Sequence, residues 1–227
     1  MAKKKEDEII VDVEQVYSRT EQWVIENQKS LSIIVGAVLL LVLSYFAYDA
    51  YIYEPQEKEA QSYMWQPQQA FEADSLELAL NGNEESYGFL DIIDQYGITS
   101  QANLAHYYAG ICYLRLGEYE LAIEYLEDFD CDDALVCAVA LGATGDAYIE
   151  LGNVDKAITY FLSAADHSEN DLISPVYLMK AARAYEEIGE YADALEIYER
   201  IKYDHPGSIE AASIEKFIAR AETRLNR

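Results

Sequence analysis

Two patterns of apolar residues organise the chain. The first is continuous: between Lys29 and Asp49 run 19 residues without a charge, SLSIIVGAVLLLVLSYFAY. At 1.5 Å per residue a helix of that length covers roughly 28 Å, enough to cross the hydrocarbon core of a bilayer. Tyr45, Tyr48, Tyr51 and Tyr53 stand at one end and Trp23 before the other, where an aromatic interface belt is expected. A cleaved secretory signal fits poorly, because seven acids precede the run, the run is too long, and no A-x-A site follows it. The pattern predicts a retained membrane helix with Ser32, Gly36 and Ala37 forming a small stripe among bulky leucines. Such a stripe suits either docking on a partner helix or plain tethering.

The second pattern is periodic. LGEYELAIEYL from Leu116, LGNVDKAITYF from Leu151 and IGEYADALEIY from Ile188 each place a glycine at a helix end and apolar residues at helical spacing beyond it. Aligned on Gly117, Gly152 and Gly189, a tyrosine stands four residues earlier at Tyr113, Tyr148 and Tyr185. A small residue stands seven earlier at Gly110, Gly145 and Ala182. An alanine follows five later at Ala122, Ala157 and Ala194, and a large residue nine later at Leu126, Phe161 and Tyr198. Small residues let two helices cross closely and large ones fill the space beside the crossing. The spacings of 35 and 37 and these positions resemble the tetratricopeptide repeat, whose period is about 34. Its usual Trp is replaced by His106, Leu141 and Leu178.

The predicted fold is all-α: one N-terminal transmembrane helix, then an α-solenoid of tetratricopeptide-type helical hairpins with a C-terminal capping helix. The expected divisions are a tail at 1–29, the membrane helix and interface at 30–53, an irregular helical hairpin at 54–101, three repeats at 102–206 and the cap at 207–227. Pro67 predicts a kink or break. The cap is read from Ile209, Ala212, Ile214, Phe217, Ile218, Ala221 and Leu225. Ile9, Val13, Val16, Tyr17 and Val24 predict an amphipathic helix in the tail. Lys3, Lys4, Lys5, Arg19 and Lys29 precede the span and only Lys58 follows closely, so the tail is expected in the cytoplasm and the repeats in the periplasm.

Charge narrows the partners. The net charge is −26, which excludes nucleic acid as a direct partner because phosphate would be repelled. No catalytic constellation appears: His106, His167 and His205 are far apart in sequence, and no phosphate loop, nucleophile elbow or zinc spacing occurs. No enzyme activity, cofactor or metal is therefore expected. Cys131 and Cys137 flank a turn-like stretch and read either as a disulfide or as small buried residues; Cys112 reads as buried.

Stacked repeats offer a concave surface lined mainly by the first helix of each unit. In the tetratricopeptide register the expected partner-binding lining is Tyr107, Tyr108, Ile111, Arg115, Asp146, Ile149, Glu150, Met179, Lys180, Arg183 and Glu187. The Lys and Asn set that similar repeats use to clamp a C-terminal carboxylate is missing, with Tyr107, Ile111 and Ala143 in those places.

The order of short tail, apolar span and helical repeats, with the phrases GFLDIIDQYG, HYYAGICYLRLGEY and GDAYIELGNVDKA, resembles the ancillary (YfgM-like) subunit family of the SecYEG translocon, Bacteroidetes-type. That resemblance implies a single-pass inner-membrane protein whose periplasmic repeats sit beside the channel. It further implies association with Sec translocon subunits and a membrane-anchored periplasmic chaperone or isomerase, and contact with exported polypeptides. The alternative is a scaffold for another envelope assembly: an outer-membrane, secretion or division complex.

Overall fold

The computed structural model describes residues 21–167 and 170–226. The chain divides into two compact units, Met1–Pro55 and Gln56–Arg227. The tail positions Ile9, Val13, Val16 and Tyr17 lie outside the described residues.

In the first unit, α1 (Gln28–Tyr48) carries the apolar run and buries none of its residues. Ile33, Leu40, Leu41 and Tyr45 are all exposed. The helix is long and apolar enough to cross a membrane. A π-helical turn, Asp49–Tyr53, follows it.

The second unit is a succession of helices in which, from Leu76 onward, each packs on the next. They are α2 (Glu54–Glu72), α3 (Leu76–Asn81), α4 (Phe89–Tyr96), α5 (Ser100–Leu116), α6 (Tyr119–Glu127), α7 (Ala134–Glu150), α8 (Val154–His167), α9 (Ser174–Glu187), α10 (Tyr191–Asp204) and α11 (Ile214–Leu225). Among the described residues the only strand-like pairing is an isolated bridge between Asn83 and Ser86. Pro67 lies inside α2 and does not end it. Ala60 and Met64 of the same helix pack with Leu80, Phe89 and Ile92, and Pro67 is itself buried, so tertiary packing offsets the lost backbone bond. Residues 54–101 contain the three helices α2, α3 and α4, with α5 beginning at Ser100.

The repeat signature has a backbone cause. Gly117, Gly152 and Gly189 have φ of 84°, 73° and 86°, a left-handed conformation that side chains resist. In each turn the next residue's N–H donates to the carbonyl of the repeat tyrosine: Glu118 to Tyr113, Asn153 to Tyr148 and Glu190 to Tyr185, each at 2.9 Å. The large residue sits directly on the small one. A Cβ at Gly110 would lie 2.5 Å from Leu126 Cγ, and one at Gly145 2.6 Å from Phe161 Cε1. Ala122, Ala157 and Ala194 are fully buried at the same crossings. Tyr113 stacks on Tyr125 and Tyr148 on Tyr160, with ring centroids 5.2 and 5.3 Å apart.

Successive repeats are tied by acid–base pairs 34 residues apart. Lys180 Nζ meets Asp146 at 2.6 Å, Arg200 meets Asp166 at 2.6 Å, His205 Nδ1 meets Asp171 Oδ1 at 3.0 Å, and Arg220 donates from Nε and Nη2 to the two carboxylate oxygens of Glu186. Each exposed pair contributes at most about 1 kcal/mol, so the apolar core carries the stacking. That core runs from Ala122 through Phe161, Leu178 and Tyr198 to Ile214, Phe217, Ile218 and Ala221 of α11. The cap is shorter than its apolar spacing predicts: Ile209 and Leu225 are exposed and Ala211–Ser213 form a 3₁₀ turn.

A candidate protein-binding groove

The first helices of the repeats, α5, α7 and α9, share one face. Its centre depends on Gly142 in α7: a Cβ there would lie 2.0 Å from Tyr177 Cε1, so the ring of Tyr177 reaches from α9 onto the α7 backbone. On the α5 side, Tyr107 and Ile111 pack against the cluster of Leu126 with Ala140 and Ala143 of α7. Tyr107 and Tyr177 thus pack on α7 from the neighbouring helices α5 and α9. Tyr107 also stands edge-on to Tyr108 and against Phe129, both at 5.5 Å between ring centroids.

Charge sits beside this aromatic floor. Lys180 Nζ donates to both oxygens of Asp146, at 2.7 and 2.6 Å, and lies 5.7 Å from the Tyr177 ring centroid. Burial first, then Asp146 and Tyr107, push the Tyr177 phenol up to about 12. Burial and then Tyr108 raise that of Tyr107. Both phenols therefore keep their protons at neutral pH.

The sequence-predicted lining separates into parts. Tyr107, Ile111, Asp146 and Lys180 meet on this face. Tyr108 is directed the other way, stacked on Phe89 at 5.0 Å and edge-on to Phe71, so it joins α5 to the N-terminal helices. Arg115 also leaves the groove, pairing with Asp74 at 2.5 Å and covering Phe71. Met179, 7% exposed, packs in the same core as Tyr177, which is 9% exposed. Ile149 is half-buried against that core, and exposed Glu150 accepts from the Tyr119 hydroxyl at 3.4 Å. Arg183, 5.6 Å over the Phe217 ring, and Glu187 extend the face toward α11. In the other unit, Gly36 has open space around it, with Ser32 and Ala37 exposed.

Tyr177, Phe129 and Gly142 escape the sequence reading. A glycine in the middle of a helix was the available signal, since it weakens the helix unless something approaches its backbone. The structure also joins Cys131 to Cys137 as a disulfide, with Cα atoms 5.6 Å apart, and leaves Cys112 free and buried.

The tetratricopeptide repeat family model matches residues 89–134 and 143–209. Among solved structures, fourteen chains match. One is the MamA protein, at 18% identity and a TM-score of 0.54, covering 74% of this chain and 88% of that one. At that identity the likeness establishes fold alone. No curated protein matches the chain, and neither likeness is to a catalytic family.

Proposed function

Taking residues 89–134 and 143–209 as tetratricopeptide repeats, we propose that this chain is a membrane-anchored adaptor that holds protein partners on the face of α5, α7 and α9. Support comes from Tyr107 and Tyr177, which pack on α7 from α5 and α9, with the Asp146–Lys180 pair beside Tyr177. Tyrosine supplies contact area at low entropic loss and is favoured at interfaces. The helix α1 would anchor the domain, with the tail cytoplasmic and the repeats periplasmic, as the Lys and Arg distribution favours. The resemblance in tail, span and repeat phrases makes the Sec translocon the proposed complex, with a periplasmic chaperone or isomerase and exported polypeptides as further partners. Ser32, Gly36 and Ala37 would let α1 pack closely on a channel helix.

Affinity purification of the full chain in detergent, read by quantitative mass spectrometry, tests this. Channel subunits should be recovered at near-stoichiometric levels, retained in Val42→Leu and lost in Gly36→Leu at equal membrane abundance. Enrichment of another envelope complex without channel subunits would replace the translocon by a different assembly.

A further inference from the structure

Away from the groove, three soft or borderline ligands converge where the first repeat joins the second. The sulfurs of Cys131 and Cys137 and a ring nitrogen of His167 lie within 4.8 Å of one another. Each is placed by a separate feature of the fold. Cys131 follows Asp130, whose N–H donates to Asn103 Oδ1 at 2.9 Å while its carbonyl accepts from Asn103 Nδ2 at 2.5 Å, pinning the turn to α5. Cys137 lies in the first turns of α7, which Asp133 caps by accepting from the N–H groups of Leu135 and Val136. His167 is the last residue of α8, whose return along α7 brings it back to the start of that helix. Cys137 is fully buried, Cys131 half-buried and His167 exposed, so the cluster is reached from solvent at its histidine.

Two thiolates and an imidazole suit zinc and disfavour the hard cations magnesium and calcium. Tetrahedral zinc, with bonds of about 2.3 Å to sulfur and about 2.0 Å to nitrogen, holds ligand atoms roughly 3.5–3.8 Å apart. The two cysteine Cα atoms, 5.6 Å apart, allow the sulfurs that separation by side-chain rotation, with the helices left in place. As a disulfide the pair offers no thiolate and binds no cation. Cys112 is not a rival ligand, because burial pushes its thiol up to about 12.

We propose that Cys131, Cys137 and His167 form a redox-gated zinc site: the dithiol form binds one Zn²⁺, with water in the fourth position, and the disulfide form binds none. Opening the site takes two electrons and two protons from a dithiol reductant. The Sγ–Sγ bond breaks, each sulfur takes a proton, and the reductant's two thiols close to a disulfide. Binding of Zn²⁺ then releases both thiol protons, and two thiolates with a neutral imidazole leave the centre uncharged overall. Because zinc binds only the dithiol, it must by linkage favour reduction of this pair.

The test uses the full chain in detergent micelles, reduced with a phosphine under anaerobic conditions and titrated with Co²⁺. A thiolate-to-cobalt charge-transfer band should saturate at one equivalent, disappear on addition of Zn²⁺, persist in Cys112→Ala, and be absent from the oxidised chain. His167→Asn, at an exposed position that leaves the core alone, should weaken Zn²⁺ binding at least ~10-fold, and His167→Cys should restore it. The proposal is overturned if the reduced chain gives no thiolate band, if His167→Asn binds Zn²⁺ as tightly as the parent, or if the oxidised chain binds Co²⁺ equally through its surface carboxylates.

Discussion

His106 shows how one side chain ties stability to pH. It occupies the position where the repeat usually has Trp, lies 5.7 Å from the Tyr125 ring centroid, and keeps Nδ1 buried without a hydrogen-bond partner. Burial lowers its pKa from 6.5, and Asp128 opposes this more weakly. A folded-state pKa below the unfolded one means that the unfolded chain binds more protons as pH falls through 6.5. Stability from a neutral His106 is therefore complete above that pH and lost below it. His106→Leu should flatten the fall, so that the difference in melting temperature between variant and parent grows in the variant's favour from about pH 7 to about pH 5. A difference that stays constant over that range would remove the effect. Sequence shows the substitution of Trp by His; the buried, unpartnered nitrogen depends on Tyr125 and cannot be read from one position.

Helix pairs behave differently from single residues, because their contacts obey spacing. Tyr113, Gly117, Ala122 and Leu126 belong to one hairpin and meet through a single turn, so their pattern was legible in the chain. The pair Gly142–Tyr177 was not, since it joins two repeats 35 residues apart. The Cys131–Cys137–His167 cluster was hidden for the same reason: the imidazole comes home only when α8 folds back on α7. The interlock at Gly142 gives a sign test. In an open helix Gly→Ala gains up to about 1 kcal/mol, but here the new methyl would strike Tyr177 and cost ~1 to 3 kcal/mol by overpacking. Gly142→Ala should thus lower the melting temperature of the parent and raise it in a Tyr177→Ala background, a reversal that double-mutant cycles read as direct coupling. Stabilisation in both backgrounds would mean that Tyr177 does not rest on α7. At the other end, Phe217 is 8% exposed and lies 5.5 Å from the Tyr198 ring. Phe217→Ala should cost about 3 kcal/mol or more, measurable as a lower denaturation midpoint with an unchanged slope; a change below about 0.5 kcal/mol would make the cap dispensable.

The whole molecule combines an apolar helix with a strongly acidic repeat domain: residues after 53 carry 34 acids against 11 Lys or Arg. Most of those charges are solvated, so their excess bears on solubility and partner choice more than on fold. What distinguishes one face from the rest is the packing of Tyr107 and Tyr177 on α7, the latter over Gly142 and beside the Asp146–Lys180 pair. Four of the eleven lining residues inferred from the repeat register, Tyr107, Ile111, Asp146 and Lys180, gather there, while Tyr108, Arg115 and Met179 are drawn into packing elsewhere. The register fixes which helix a residue lies on, but neighbouring repeats decide whether its side chain is free. The most direct measurement is photocrosslinking in intact cells with benzoylphenylalanine at Tyr107, compared with the same replacement at Tyr203, which is 69% exposed on α10. If the face of the first helices holds the partner, Tyr107 gives a discrete adduct with another protein and Tyr203 gives none. An adduct from Tyr203 alone, or the same adducts from both positions, contradicts it.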